Sequence, residues 1–166
     1  MKLDGLSYEI EPGLLYGRPG PAKTLWNPEQ LYSQGLRVVV SLVEGNDAER
    51  VADAGLLHYI LPFEEKLSRP YATANPKLLE LIRRFDGIVD THLSREEPVL
   101  VHCNAGKDRT GILMAYYLIG KLGMKPKRAI KWLRKQKPDA LTAKGYEDAV
   151  LALAPWMESI AAHTAG

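Results

Sequence analysis

The pattern of hydrophobic and polar residues predicts strands that alternate with helices. Three short runs, "LRVVVSL", "LLHYILPF" and "VLVH", are largely apolar, which is typical of strands covered on both faces. Apolar residues also recur at helical spacing, most clearly between Leu78 and Val89. Asn27-Pro28 and Asn75-Pro76 each combine a capping side chain with a proline suited to the first helical turn, so we expect helices to begin there.

This alternation predicts an α/β fold. We expect a single domain over residues 1–166, with a central, mainly parallel sheet of four to five strands and helices on both faces. The segment "SYEIEPGLLYGRPGP" adds short extended pieces before the first helix. Ligands bind beyond the carboxyl ends of strands in such sheets, and Cys103 lies at the end of the third apolar run.

Composition narrows the class of protein. The chain has 166 residues, of which 46% are hydrophobic and 25% charged, as in ordinary globular domains. No apolar run approaches the ~20 residues of a membrane span, and "MKLDGLSYEI" lacks the apolar core of a secretory signal. We therefore expect no membrane span and no export. The single cysteine excludes an internal disulfide and favours a reducing, cytoplasmic location.

Charge is unevenly distributed along the chain. The net charge of +2 indicates no particular partner, and we expect no nucleic-acid partner. Between Lys121 and Lys137, however, eight Lys/Arg residues occur without an acidic residue. This run is interpreted as a solvated helix face, with an anion-binding face as the alternative.

The residues after the third strand indicate an anion-binding loop with a nucleophile at its base. Cys103 and Arg109 are separated by five residues, and Arg109 opens the next helix. Gly106 permits tight curvature, the helix start supplies unpaired amides, and a guanidinium can bind two phosphate oxygens. The same positive field favours the thiolate, so the loop is equipped for phosphoryl transfer through a cysteinyl-phosphate. The predicted phosphate-binding residues are Asn104, Ala105, Gly106, Lys107, Asp108 and Arg109.

A family resemblance supports this prediction. His102, Cys103, Gly106, Arg109 and Thr110 resemble the H-C-x5-R-[S/T] signature of the protein tyrosine and dual-specificity phosphatase superfamily. "LLYGRPGP", "GLRVVVSL" and "IKWLRKQKPDALTAKGYEDAV" resemble segments of small dual-specificity phosphatases, and "GKDRTG" resembles bacterial and lipid-directed members. The resemblance implies a metal-independent phosphatase without a cofactor, whose loop binds phosphate, sulfate or vanadate.

The resemblance also implies roles for single residues. Cys103 attacks phosphorus, and Arg109 holds the phosphate. His102 hydrogen-bonds near the cysteine, although a histidine at a strand end with only a structural role is the alternative. The Thr110 hydroxyl donates to the thiolate and eases its departure.

The sequence offers more than one carboxylate as the general acid that protonates the leaving oxygen. In the family it is usually an aspartate on a loop after the preceding strand, but "HYILPFEEKLSRP" contains none; Glu65 lies closest to that position and Glu64 next. Asp108 is the rival, because myotubularin-like and Sac-like lipid phosphatases carry an aspartate at the corresponding loop position. A helix N-cap is the alternative role for Asp108.

The substrate class is also open. We expect a phosphorylated protein, with phosphotyrosine and also phosphoserine or phosphothreonine, while "AGKD" retains phosphoinositides and small phosphate esters as alternatives. Lys107 is expected at the entrance, and Arg18 and Arg69 are weaker candidates for the rim. A phosphate-binding module without turnover is the remaining alternative. The histidines lack the spacing of a metal hydrolase, and "GPAKT" lacks the glycine of a nucleotide-binding loop.

Overall fold

The protein folds around one mixed sheet flanked by helices. The structure is a computed structural model that describes residues 3–64, 66 and 75–165. The strands are β1 (Tyr8–Glu11), β2 (Leu15–Pro19), β3 (Val38–Ser41), β4 (Leu57–Ile60) and β5 (Val99–Cys103). The helices are α1 (Pro28–Ser33), α2 (Ala48–Asp53), α3 (Pro76–Leu93), α4 (Arg109–Tyr116), α5 (Pro126–Gln136) and α6 (Tyr146–Ala165), and a π-helical turn (Tyr117–Lys121) follows α4.

The sheet has the strand order β1-β2-β5-β3-β4. Of the pairs between the described strands, β1–β2 is antiparallel, whereas β2–β5, β5–β3 and β3–β4 are parallel. The predicted α/β class and mainly parallel sheet are therefore confirmed. β5 lies at the centre, so the loop that follows it emerges between two neighbouring strands.

Helices cover both faces of the sheet, as predicted. Alternate residues of a strand point to opposite faces, and those of β5 divide accordingly. Val99 and Val101 belong to the large hydrophobic cluster that includes α3 to α6. Leu100 belongs to a smaller cluster with Leu31 of α1 and Val51 of α2. β5 is buried on both sides, which explains its continuous apolar sequence.

The prediction that "LLHYILPF" forms a second buried strand is wrong in its burial. Among the described strands β4 pairs with β3 alone and lies at the end of the strand order. Leu57 and Ile60 are 49% and 43% exposed. A continuous apolar run does not by itself distinguish an edge strand from a central one.

Both predicted asparagine caps are confirmed. Asn27 accepts a 3.0 Å hydrogen bond from the Gln30 amide at the start of α1. Asn75 accepts bonds of 3.0 and 3.3 Å from the amides of Lys77 and Leu78 at the start of α3. None of the helices within the described ranges is both long and apolar enough to cross a membrane.

Candidate active site

The candidate site is the loop between β5 and α4. Cys103 ends β5 with 3% of its surface exposed, and Arg109 begins α4. The five intervening residues form neither helix nor strand. Strand, loop and helix therefore follow in the predicted order, with the sulfur at the base of the loop.

Three loop carbonyls are held by groups outside the loop. The Gly20 amide donates to the Asn104 carbonyl at 3.0 Å, and the Leu141 amide donates to the Lys107 carbonyl at 3.0 Å. The Tyr8 hydroxyl donates to the Gly106 carbonyl at 2.6 Å. Within the described part of the chain, the backbone amides of 104–109 donate to no protein acceptor. These amides are consequently available to an anion.

Gly106 is required by its conformation and its surroundings. It has φ +71°, and a Cβ atom there would lie 2.5 Å from the backbone carbonyl group of Arg18. Side chains rarely adopt this conformation, and the neighbouring backbone has no room for one. The curvature predicted at Gly106 is therefore present, and it brings the loop directly against β2.

Tyr8 was not predicted as a site residue. Its phenol is buried beneath the loop, and burial raises its pKa well above its usual range, with the electrostatic interaction with Cys103 acting in the same direction. The phenol therefore keeps its proton and remains a donor to Gly106. Nothing in "SYEIEPG" indicates this contact, because it joins residues 98 positions apart.

His102 lies in a buried hydrogen-bonded row behind the cysteine. Its Nδ1 is 3.2 Å from the Cys103 carbonyl, and its Nε2 is 2.6 Å from Ser41 Oγ. Since a carbonyl only accepts, Nδ1 carries the proton, and Nε2 accepts from the Ser41 hydroxyl. Ser41 Oγ is 2.7 Å from His58 Nε2, so His58 donates to Ser41. The row thus has one consistent direction, from His58 to the backbone of Cys103.

Burial also fixes the charge of this histidine. His102 is fully buried, and the loss of hydration lowers its pKa from 6.5 to about 4. Burial also lowers the pKa of His58. Both imidazoles are therefore neutral at pH 7, which is the state that the row requires. Sequence reasoning found His102 but missed Ser41 and His58. The available signal was that each is a polar residue within a largely apolar strand.

Arg109 is buried and held by the segment after β4. Its Nη1 donates a 3.0 Å hydrogen bond to the Phe63 carbonyl. Among the described residues, the Phe63 carbonyl is the one acceptor that the Arg109 guanidinium contacts. Its remaining N–H groups are therefore available to a ligand. This hydrogen bond joins the start of α4 to the segment that contains Glu64 and Glu65, two of the candidate general acids.

Thr110, the residue after Arg109 in α4, is fully buried. Its Oγ1 has no hydrogen-bond partner among the described residues. A buried hydroxyl without a partner costs free energy, and such groups are retained where they have a task. The hydroxyl is therefore available as a donor inside the site.

Lys107 and Asp108 contact each other and the loop before α6. Lys107 Nζ is 2.6 Å from Asp108 Oδ2 and 3.1 Å from Thr142 Oγ1. The Ala143 amide donates to Asp108 Oδ1 at 3.2 Å. Asp108 occupies the N-cap position of α4, but its side chain makes no capping hydrogen bond. The alternative of an N-cap role is therefore wrong, because the carboxylate binds Lys107 and Ala143 instead.

The structure places some of the remaining predicted site residues and does not describe others. Glu64 is exposed and follows Phe63, whereas Glu65 and Arg69 lie outside the described residues. Arg18 is not a rim cation: it is 1% exposed, and its guanidinium binds Asp4 at 2.8 Å and the Pro19 carbonyl at 2.7 Å. Among the described residues no group of three or more His, Cys, Asp or Glu side chains could hold a metal ion.

The chain matches the catalytic domain of the dual specificity phosphatases over residues 20–153. This match covers most of the chain, which therefore belongs to that family. Mouse (Mus musculus) protein tyrosine phosphatase domain-containing protein 1 is 25% identical over 135 residues, which are 70% of this chain and 17% of that protein. Human (Homo sapiens) dual specificity protein phosphatase CDC14C is 33% identical over 92 residues, 55% of this chain and 18% of that protein. The chain thus spans less than a fifth of the length of these curated relatives.

Solved structures share the fold over nearly the whole chain. PTPMT1 in complex with PI(5)P has a TM-score of 0.73 at 15% identity, and the match covers 97% of this chain and 99% of that chain. Tk-PTP in the active form has a TM-score of 0.71 at 19% identity, with coverage of 93% and 97%. A cysteine-to-serine variant of P. aeruginosa TpbA in complex with pTyr has a TM-score of 0.63 at 19% identity, with coverage of 98% and 99%. The small dual-specificity phosphatase-like fold expected from the sequence is confirmed.

Proposed function

We propose that this protein is a metal-independent phosphatase that hydrolyses phosphate monoesters through a cysteinyl-phosphate intermediate. The observation that carries the proposal is the position of Cys103 at the base of a loop whose backbone amides donate to no acceptor among the described residues. Arg109 lies at the start of the helix that follows. Such a site combines a nucleophile with donors for a tetrahedral dianion. The proposal includes a cytoplasmic location, because the thiolate needs a reducing compartment.

In the first step the thiolate of Cys103 attacks phosphorus. The S–P bond forms, the bond between phosphorus and the ester oxygen breaks, and that oxygen takes a proton from a carboxylic acid. Arg109 and the loop amides bind the nonbridging oxygens. In the second step water attacks phosphorus, the same carboxylate accepts its proton, and the S–P bond breaks. The Thr110 hydroxyl, which has no hydrogen-bond partner among the described residues, would donate to the departing sulfur.

His102 acts in this scheme as a positioning residue. Its Nδ1–H donates to the carbonyl of Cys103, and the Ser41 hydroxyl holds its Nε2. The row fixes the backbone on which the sulfur is mounted. A fixed nucleophile needs no reorientation before attack, which is how positioning lowers a barrier.

Asp108 and Glu65 remain the two candidates for the acid. Asp108 is the last residue of the loop, but its carboxylate is an acceptor from both Lys107 and Ala143. To donate a proton to the leaving oxygen, it must leave the 2.6 Å contact with Lys107. Glu65 follows the segment that binds Arg109 through Phe63. Glu64, which directly follows Phe63, is the third candidate carboxylate.

The substrate in this proposal is phosphotyrosine in a protein, with phosphoserine and phosphothreonine as further substrates. TpbA in complex with pTyr has a similar fold and supports the tyrosine assignment. The second candidate is a phosphoinositide. It is favoured by the cationic Lys107 in the loop and by the likeness to PTPMT1, whose structure contains PI(5)P.

The decisive experiment is turnover of an aryl phosphate in the presence of a chelator. We expect activity that vanadate inhibits and that Cys103→Ser abolishes, while Cys103→Ser still binds a phosphotyrosine peptide. Binding without Cys103-dependent turnover would instead establish a phosphate-binding module. A panel of phosphopeptides, inositol lipids and small phosphate esters, compared by kcat/KM, then separates the substrate classes.

A further inference from the structure

The outward face of α5 is basic and lies opposite its buried face. Ala129, Ile130 and Leu133 are buried in the large hydrophobic cluster. At 100° per residue, the cationic side chains fall on the other side of the helix. They are Lys127, Arg128, Lys131, Arg134 and Lys135.

Most of this positive charge has no acidic partner among the residues that the structure describes. Arg134 pairs with Glu147 at 2.7 Å. Lys127, Arg128, Lys131 and Lys135 are exposed and make no ion pair with any described residue. Four like charges on one short helix repel one another, so an anionic ligand would relieve an unfavourable arrangement.

The basic face borders a groove between α5 and α6. The groove has a volume of about 320 Å³ and is lined by Lys127, Ile130, Lys131, Arg134, Glu147 and Leu151. It therefore combines cations along one side with two aliphatic side chains. A second depression shares Arg134 and Glu147 with it and extends along residues 141–145.

This second depression leads to the candidate active site. Lys107 donates to Thr142, and the Ala143 amide donates to Asp108. Arg134 donates from Nη2 to the Leu141 carbonyl at 3.3 Å, which joins α5 to the same segment. A continuous surface thus runs from the β5–α4 loop, along residues 141–145, to the basic groove.

We propose that this groove binds an acidic segment of a protein substrate, next to the phosphorylated residue held by the β5–α4 loop. This inference rests on the proposed phosphatase function and specifies its substrate class. Acidic side chains of the segment pair with Lys127 and Lys131, and an aliphatic side chain packs on Ile130 and Leu151. Glu147 disfavours acidic residues at the end of the groove nearest the loop.

The shape of the surface favours a peptide over a lipid bilayer. A helix that lies in a membrane interface needs a free apolar face, whereas the apolar face of α5 is packed in the core. A concave groove with aliphatic floor residues suits an extended segment. Lys127 and Arg134 are about 10 Å apart along the helix axis at 1.5 Å per residue. An extended segment covers this distance in about three residues at 3.3 Å per residue. Because Arg134 lies between Lys127 and the depression that leads to the loop, acidic residues that pair with Lys127 are expected more than three positions from the phosphorylated residue.

The test compares three phosphotyrosine peptides of equal length. One carries a Glu-Leu-Glu-Glu segment four positions before the phosphotyrosine, one carries it four positions after, and one has Gln in place of every Glu. We expect one acidic peptide to have a KM about 3- to 10-fold lower than the Gln peptide at low salt, with kcat unchanged. The difference should shrink at high salt, because exposed charges are screened.

Two charge reversals separate the groove from general electrostatics. Lys131→Glu and the double variant Lys127→Glu/Lys131→Glu should abolish the preference and leave aryl phosphate turnover intact. Arg95→Glu makes the same change of charge at an exposed site between α3 and β5, at the opposite end of the sheet, and should retain the preference.

Each other outcome overturns the inference. Equal KM values for the three peptides, or a preference that survives the double variant, would show that the groove does not read acidic residues. Binding of wild type to phosphatidylserine vesicles that Lys131→Glu abolishes, together with indifference to the peptides, would make this face a membrane contact. If the wild-type protein does not turn over the aryl phosphate, the phosphatase proposal itself is refuted. The failure of the groove proposal and the failure of the phosphatase proposal are therefore distinguishable.

Discussion

The Tyr8 hydroxyl donates a 2.6 Å hydrogen bond to the carbonyl of Gly106. Through it the antiparallel edge of the sheet supports the loop that carries the candidate chemistry. With this carbonyl held away from the loop interior, the neighbouring amides are left for an anion.

Removal of the hydroxyl tests this relationship. In Tyr8→Phe the Gly106 carbonyl stays buried without its donor, which should lower the free energy of unfolding by about 1–2 kcal/mol. We expect the inhibition constant of vanadate to rise about tenfold. Tyr32→Phe, which removes a hydroxyl from an exposed tyrosine of α1, is the control and should change neither quantity. Unaltered vanadate binding in Tyr8→Phe would mean that the phenol does not shape the loop.

Two glycines with nearly the same φ separate strain from steric conflict. Gly106 has φ +71° with backbone 2.5 Å from an added Cβ, whereas Gly13 has φ +74° with nothing within 4 Å. Gly13→Ala should cost about 1–2 kcal/mol of stability through its backbone conformation alone and keep full activity. Gly106→Ala should displace the loop from Arg18 and abolish both vanadate binding and turnover. Thermal unfolding and a vanadate titration of the two variants measure this; equal activity in both would contradict it.

The tautomer of His102 is a spectroscopic prediction. The carbonyl of Cys103 at Nδ1 and the hydroxyl of Ser41 at Nε2 require the Nδ1–H form. Nitrogen chemical shifts of labelled histidine should report this tautomer in wild type. In Ser41→Ala, which removes the donor to Nε2, a mixture of tautomers is expected, whereas Ser33→Ala on the exposed side of α1 should have no effect. An Nε2–H tautomer in wild type would refute the assigned direction of the row.

The buried imidazole should also make stability depend on pH. Burial lowers the pKa of folded His102 from 6.5 to about 4, so between these values the unfolded chain binds the extra proton. Stability is therefore greatest above pH 6.5 and is lost as the pH falls toward 4, by about 3 kcal/mol from this group. Urea unfolding of wild type and His102→Asn across this range measures the difference. We expect His102→Asn to lose this part of the slope and the exposed His163→Asn to keep it.

The pH dependence of kcat/KM identifies the acid. Asp108→Asn and Glu65→Gln should be compared, with Glu64→Gln beside them. The variant that lacks the acid should lose the alkaline limb of the profile and about 10²- to 10⁴-fold in rate on an alkyl phosphate, with a smaller loss on an aryl phosphate. If the limb persists in all three, the acid is another group.

The predictable parts of the site are those that are contiguous in sequence. The strand, Cys103, Gly106 and Arg109 lie within a few residues, and strand and helix signals surround them. Tyr8 and Leu141 could not be predicted, because each joins the loop through a hydrogen bond between distant segments. Asp108 directly precedes a helix, a position where aspartate commonly caps the first turn. Its side chain binds the neighbouring Lys107 instead, because an ammonium group is a stronger partner than a backbone amide.

The fold was predictable to a similar extent. Asn27 and Asn75 marked helix starts correctly because capping is a local interaction. The exposure of β4 was not predictable, since Leu57 and Ile60 have the composition of a central strand. Position within a sheet depends on which strands pair, and no single segment encodes that.

The three outside donors to the loop carbonyls have a consequence for folding. The chain must close separations of up to 98 residues before the anion-binding shape exists, so catalytic competence should appear late, with global assembly, and disappear with it. A fragment limited to the signature would retain the sulfur of Cys103 and the guanidinium of Arg109 but lack the concave shape of the loop. Under the proposed function, turnover would report whether the segments around Tyr8 and Leu141 have docked on the loop.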